Sequence, residues 1–185
     1  MSSNRSSCTW PLGLATLLFV MVCAMACASA GASKGPDAPL PVGSALPDLT
    51  GNDQGGHAIR LKALQGKPLL VFFYPKAGTP GCTKEACAFR DAWLQYESAG
   101  VQVLGVSHDS VADQAAFAHE HGLKFPLVSD SDGRWGQAFG VPLRVWKFYS
   151  RVSFLFGRDG RIAKTYLDVD PGVHAGQVLA DAKGL

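Results

Sequence analysis

Apolar and polar positions fall along this chain in blocks whose lengths separate strands from helices. The clearest block is Leu69-Leu70-Val71-Phe72-Phe73, bounded by Pro68 and Pro75. It is short, β-prone and uninterrupted, which predicts a buried strand. Val101 to Ser107 predicts a second buried strand, and Phe125 to Ser129 a short extended segment. Between these runs the period lengthens. Ala86, Phe89, Trp93 and Leu94 predict one helix that runs to Gly100, with Thr79 suited to the N-cap and Pro80 to the first helical position. Val111, Ala115 and Ala118 predict an amphipathic helix over 111–121 that Gly122 stops. A short helix is expected over 135–139 before Gly140, and a last one over 173–182. Leu49-Thr50 and Ala58 to Leu61 flank a polar, glycine-rich turn and predict a hairpin. A second hairpin is expected from Ser153–Phe156 and Ile162–Tyr166, joined by Gly157-Arg158-Asp159-Gly160. Strands that alternate with helices and end in a late hairpin predict an α/β protein with a mixed sheet flanked by helices.

The N-terminal stretch follows a different logic. Arg5 precedes an apolar core from Leu12 to Ala26, and small residues follow it through Ala30. A core of that length falls short of the roughly 20 residues that span a bilayer, and the order of parts predicts an export signal over residues 1–30. Ala28-Ser29-Ala30 suits an ordinary signal peptidase. Ala24-Met25-Ala26-Cys27 resembles a lipobox, which would leave Cys27 lipidated, although Ala24 stands where lipoboxes usually carry Leu. A retained N-terminal anchor is the third reading. The expected location is therefore the periplasm or cell envelope. Residues 31–47 are rich in Gly, Pro, Ser and Ala and read as a tether before a single domain over 48–185.

Charge narrows the partners. The whole chain has 17 basic and 15 acidic residues, and Arg5 is the one charged residue among the first 27. With the rest almost neutral and no basic cluster, nothing suggests a nucleic-acid partner. Membrane contact is expected only through the leader or a lipid at Cys27. His57, His108, His119, His121 and His174 are scattered without the spacing of a metal site, and Trp93, Trp135 and Trp146 read as packing residues.

The chemistry concentrates just after the first buried strand. Cys82 is expected in the first turn of a helix, where unpaired N–H groups and the helix dipole favour a thiolate, the reactive form of cysteine. The Thr79 hydroxyl is three residues back, within reach of the sulfur, and Gly78 and Gly81 allow close approach to the backbone. Glu85, expected in the first helical turn, suits the helix dipole in any case, and positioning an arginine is its secondary reading. Cys87 lies five residues beyond Cys82. On an ideal helix that spacing puts the two Cα atoms roughly 9 Å apart, beyond the ~7 Å that a disulfide tolerates. The two thiols can join only if the first turns unwind, which points to a redox switch. The plainer alternatives are an ordinary structural disulfide or a buried cysteine.

The string Tyr74-Pro75-Lys76, Thr79-Pro80-Gly81-Cys82-Thr83-Lys84-Glu85-Ala86-Cys87 and Phe89-Arg90-Asp91 resembles the active-site signature of peroxiredoxins, in the bacterioferritin-comigratory or peroxiredoxin Q branch. The similarity runs from about Val42 to Leu179. It implies a thioredoxin-like fold with an N-terminal β-hairpin extension. It also implies a thiol-dependent peroxidase in which Cys82 attacks hydrogen peroxide or an organic hydroperoxide and becomes a sulfenic acid. Cys87 then resolves it as a disulfide, and a thioredoxin-like dithiol donor resets the pair. Pro75 is implied as a wall that shields the sulfur. Arg151, in Arg151-Val152-Ser153-Phe154-Leu155, is implied as the guanidinium that reaches it, although Val152 stands where Ser or Thr is usual. No metal, haem or flavin is implied, and a monomer is expected. Two other classes share the fold: an envelope thiol–disulfide exchange protein, against which the missing Cys-x-x-Cys argues, and a non-catalytic lipoprotein.

Overall fold

The computed structural model describes residues 38–144 and 146–185. The expected leader and Cys27 lie outside the described residues. The strands are β1 (Thr50–Asn52), β2 (Ala58–Arg60), β3 (Leu69–Phe73), β4 (Gln102–Ser107), β5 (Leu127–Ser129), β6 (Val152–Phe156) and β7 (Ile162–Tyr166). They form one mixed sheet in the order β2-β1-β5-β4-β3-β6-β7. The helices are α1 (Pro80–Asp91), α2 (Trp93–Ala99), α3 (Val111–His121), α4 (Arg134–Phe139) and α5 (His174–Ala182).

Strand β3 is wholly buried because it is central. It pairs in parallel with β4 and antiparallel with β6. Its side chains alternate between two cores, as pleating requires. Leu70 and Phe72, continued by Tyr74, pack with residues of α1, α2, α3 and α5, among them Phe89, Tyr96, Phe117 and Val178. Leu69, Val71 and Phe73 face the other way, against Leu46, Leu61 and the α4 residues Trp135 and Phe139. The β3/β6 register pairs Phe73 with Val152. The residue that precedes β6 therefore meets the chain as it leaves β3, and this brings Arg151 to the start of α1.

Three expectations need correction. The helix foreseen from Thr79 to Gly100 is two helices, α1 and α2, that break at Ala92 (φ −86°, ψ 5°). No proline or glycine marks that break. Tertiary packing accounts for it: Trp93 lies against Phe125 (centroids 6.0 Å apart), and fully buried Tyr96 donates from its hydroxyl to the Ala175 carbonyl at 2.7 Å. Leu61, expected in a strand, instead opens a 3₁₀ turn over Leu61–Leu64. Residues 40–47, foreseen as part of a tether, are pinned to the domain. Leu40 N–H bonds Phe139 O, Gly43 N–H bonds Ile162 O, Leu46 N–H bonds Gly160 O, and Ala45 forms a bridge with Arg161. Among the described residues no helix is long and apolar enough to cross a membrane.

Candidate active site

At the carboxyl end of β3 the chain turns through Pro75 to Gly78 before α1 begins. Gly78 has φ +73°, a backbone state that costs a side-chain-bearing residue strain. The turn is tied down from β4 and the residues that follow it. Asp109 accepts from the Ala77 N–H at 2.8 Å and from the Ser107 hydroxyl at 2.7 Å, while the Gln114 amide donates to Ser107 Oγ at 2.7 Å. The Tyr74 hydroxyl donates to Gln114 Oε1, and burial pushes its pKa far up, so the phenol stays neutral and remains a donor. Pro80 occupies the first helical position, as expected, and places Cys82 in the first turn of α1.

Cys82 is almost wholly buried (2% exposed), and both it and half-buried Cys87 are free thiols. Arg151 Nη2 lies 3.1 Å from Cys82 Sγ, and Nη1 donates to Glu85 Oε2 at 2.6 Å. The guanidinium is thus fixed by a buried carboxylate and presents its other donor to the sulfur. Gly81 makes room for it, since a Cβ there would come within 2.8 Å of Arg151 Nη2. The remaining guanidinium donors can hold an oxygen delivered to the sulfur.

The structure thus brings together Cys82, Arg151 and Glu85, one turn apart on α1 or carried in from β6. Thr79 behaves differently from expectation. It occupies the N-cap with extended backbone, but its hydroxyl donates back to the Lys76 carbonyl at 2.9 Å and makes no capping bond. Half-buried Pro75 borders a pocket of ≈ 210 Å³ whose lining also includes Lys76, His108, Trp146 and Phe148.

Glu85 was expected in the first turn, near the dipole. It lies in the second turn, 1% exposed, where burial pushes its pKa up to about 7 against the pull of Arg151. Oε1 has no hydrogen-bond partner among the described residues. His174, one of the scattered histidines, proves to be wholly buried behind it. Its Nε2 lies 2.9 Å from Ser153 Oγ and 4.0 Å from Glu85 Oε1, and its Nδ1 has no partner among the described residues. Burial, reinforced by the Arg151 charge, lowers its pKa to about 4, so the ring is neutral around pH 7. Sequence reasoning missed this residue because nothing local marks it: only the packing of α5 on α1 brings it there.

Comparison with known proteins agrees with this geometry. A family model described as the AhpC/TSA family matches residues 42–165. The chain is 40% identical over 147 residues to peroxiredoxin Bcp of Escherichia coli (strain K12), covering 76% of this chain and 94% of that protein. It is 37% identical over 139 residues to the chloroplastic peroxiredoxin Q of Oryza sativa subsp. japonica; the match covers 74% of this chain and spans 64% of the length of that relative. Among solved structures it resembles the bacterioferritin comigratory protein of Xanthomonas campestris, with a TM-score of 0.72 and 33% identity over 78% of this chain and 98% of that one.

Proposed function

The chain belongs to the AhpC/TSA family, in its peroxiredoxin Q and Bcp group, and from that premise we propose that it is a thiol-dependent peroxidase whose reactive centre is Cys82. One observation carries the reading: a buried sulfur with a guanidinium nitrogen 3.1 Å away, that guanidinium being held in turn by a buried carboxylate. The Xanthomonas relative is described for its alkyl peroxide reduction activity, and the substrate class taken here is hydrogen peroxide and alkyl hydroperoxides.

Deprotonated Cys82 attacks one peroxide oxygen in line with the O–O bond. The S–O bond forms as the O–O bond breaks, sulfur is oxidised to sulfenic acid, and the departing alkoxide or hydroxide takes a proton to become alcohol or water. Arg151 stabilises both the attacking thiolate and the negative charge that develops on oxygen. Cys87 thiolate then attacks the Cys82 sulfenic sulfur and expels water after protonation, leaving a disulfide. This step requires the first turns of α1 to unwind, since the helical spacing of the two thiols exceeds disulfide reach. A thioredoxin-like dithiol donor attacks the disulfide, ends oxidised itself, and returns both thiols. The expected setting is an exported, monomeric protein that meets a membrane only through the leader or a lipid at Cys27.

Steady-state peroxide consumption with a dithiol donor tests the cycle. Cys82→Ser is expected to abolish it. Cys87→Ser is expected to form one sulfenic acid per chain and then recycle slowly. A Cys87→Ser variant that turns over as fast as the parent on the dithiol donor refutes the resolving role. A Cys82→Ser variant that still consumes peroxide refutes the assignment of the centre.

A further inference from the structure

Behind Arg151, on the side away from the sulfur, lies a cluster that the reaction does not use directly. It consists of Glu85 from α1, His174 from the start of α5 and Ser153 from β6, with relative exposures of 1%, 0% and 1%. We propose that His174, seated by Ser153, is a positioning residue for the proposed peroxidase: it backs Glu85, and through Glu85 it keeps the Arg151 guanidinium against Cys82 Sγ. The inference rests on the reading of Cys82 given above.

Polar economy is the first argument. Two buried polar atoms here, Glu85 Oε1 and His174 Nδ1, have no hydrogen-bond partner among the described residues. An unpartnered buried polar atom costs stability, and a well-packed apolar group at the same place is often neutral or stabilising. A position that served packing alone would be filled more cheaply by leucine or phenylalanine.

Geometry supplies the second argument. The ring of His174 is clamped edge-on by Phe89 of α1, with centroids 5.6 Å apart, and by Tyr166 of β7, at 5.1 Å. Nε2, 2.9 Å from Ser153 Oγ, ties the ring to β6 as well. This fixed wall lies 4.0 Å from the carboxyl oxygen that Arg151 does not use. The carboxyl therefore has Arg151 on one side and the imidazole on the other, and a shift of Glu85 toward His174 would draw the guanidinium off the sulfur.

The charged and titratable groups around the ring make its neutrality part of the design. Glu85 faces this region from α1, and Arg151 approaches from the segment before β6. Tyr166 of β7 carries its hydroxyl bonded to Asp181 of α5, and Tyr96 of α2 is bonded to the Ala175 carbonyl. Were His174 charged, it would compete with Arg151 for Glu85 and add a second positive charge within the same dry space. Neutral His174 leaves Glu85 to Arg151. The lowered proton affinity that burial gives the ring agrees with this.

The test uses the full chain with Cys87→Ser, so that oxidation stops at the first step. Two quantities are read: the second-order rate with hydrogen peroxide by stopped flow, and the thiolate fraction at neutral pH by ultraviolet absorbance. His174→Phe is expected to lower the rate about ten-fold or more, the scale on which small misplacements act, and to lower the thiolate fraction with it. His174→Gln, whose amide can bond Ser153 Oγ in either direction, is expected to recover most of both. In an Arg151→Met background the effect of His174→Phe is expected to vanish, because the residue acts through that guanidinium. A cooperatively folded His174→Phe with the parent's rate and thiolate fraction overturns the proposal, and so does an undiminished loss in the Arg151→Met background. If His174→Phe does not fold, Ser153→Ala takes its place, with the same direction expected and the same two contrary outcomes. A parent that reacts with peroxide no faster than free cysteine refutes the peroxidase reading instead, and the thiolate fraction still decides the role of His174.

Discussion

Two carboxylates are equally buried in this molecule, Glu85 and Asp130, each 1% exposed, and they are treated in opposite ways. Asp130 sits between β5 and α4 and is fully used. It accepts from the Trp135 N–H at 3.0 Å, the Gly136 N–H at 2.8 Å and the Tyr149 hydroxyl at 2.5 Å. These bonds satisfy the first amides of a short helix whose own N-cap, Gly133, has no side chain to offer. Burial raises the Asp130 pKa, and the three donors oppose it. Glu85, by contrast, has one partner, Arg151, and one bare oxygen. A carboxylate buried for structure collects donors until it is satisfied. The one beside Cys82 and Arg151 is left half-satisfied, with one oxygen on the guanidinium and the other bare.

Removing the guanidinium should break this contrast most strongly. Arg151→Met is expected to slow oxidation of Cys82 by about 10²–10³-fold, the usual worth of one preorganised charge-stabilising donor, with the fold retained because Glu85 can take a proton. Stopped-flow rates beside thermal melts check it, and a rate near the parent's would mean that the 3.1 Å contact does not act in the reaction.

The same isosteric change at the two carboxylates should then separate them. Asp130→Asn sets an amide donor against two N–H groups and a hydroxyl, and is expected to cost about 3 kcal/mol by denaturant unfolding. The folded protein should keep the parent's oxidation rate. Glu85→Gln keeps a carbonyl for Arg151 and resembles the protonated carboxyl that a pKa of about 7 already populates at neutral pH, so stability is expected to change by less than about 1 kcal/mol. A loss at Glu85 as large as that at Asp130 would show that both sites are structural.

The smallest expected effect is in pH dependence, where Glu85 and His174 offset each other. Glu85 has an ordinary value of 4.5 and a folded value of about 7; His174 has an ordinary value of 6.5 and a folded value of about 4. Between pH 4.5 and 6.5 the unfolded pair holds one proton, on the imidazole, and the folded pair holds one, on the carboxyl. No protons are exchanged on unfolding, so the pair adds no slope to stability there. His174→Phe leaves Glu85 alone. With its folded value raised, Glu85 gives stability that is full below 4.5 and lost as pH rises to about 7. Unfolding free energies measured across this window should be flatter in the parent than in the variant. Equal slopes would contradict the pairing.

These residues also show how far a sequence can be read. Local signals carried the frame: the apolar run of β3, Pro80 at the first position of α1, Gly100, Gly122 and Gly140 as helix stops, and Asp159-Gly160 between β6 and β7. The placement of Arg151 was also readable, but through family resemblance, since spacing alone left it a charge at a strand end. What was not readable depends on long-range packing. The break at Ala92 has no local breaker and follows from where Trp93 packs on Phe125 and Tyr96 is buried. The Thr79 hydroxyl chose a backbone carbonyl three residues earlier over the sulfur. His174 meets Glu85 only because α5 folds back on α1, a contact that spans most of the domain. Glu85 and Asp130 look alike as isolated letters, and their difference lies entirely in how many donors the fold brings to each.

Cys82, held 3.1 Å from the Arg151 guanidinium, is expected to react with peroxide and then to be joined to Cys87. Rapid mixing of the fully reduced protein with hydrogen peroxide, followed by thiol counting and mass mapping, tests it most directly. Loss of two thiols per chain is expected, much faster than for free cysteine, with a Cys82–Cys87 linkage in the product. Oxidation no faster than that of free cysteine would contradict it.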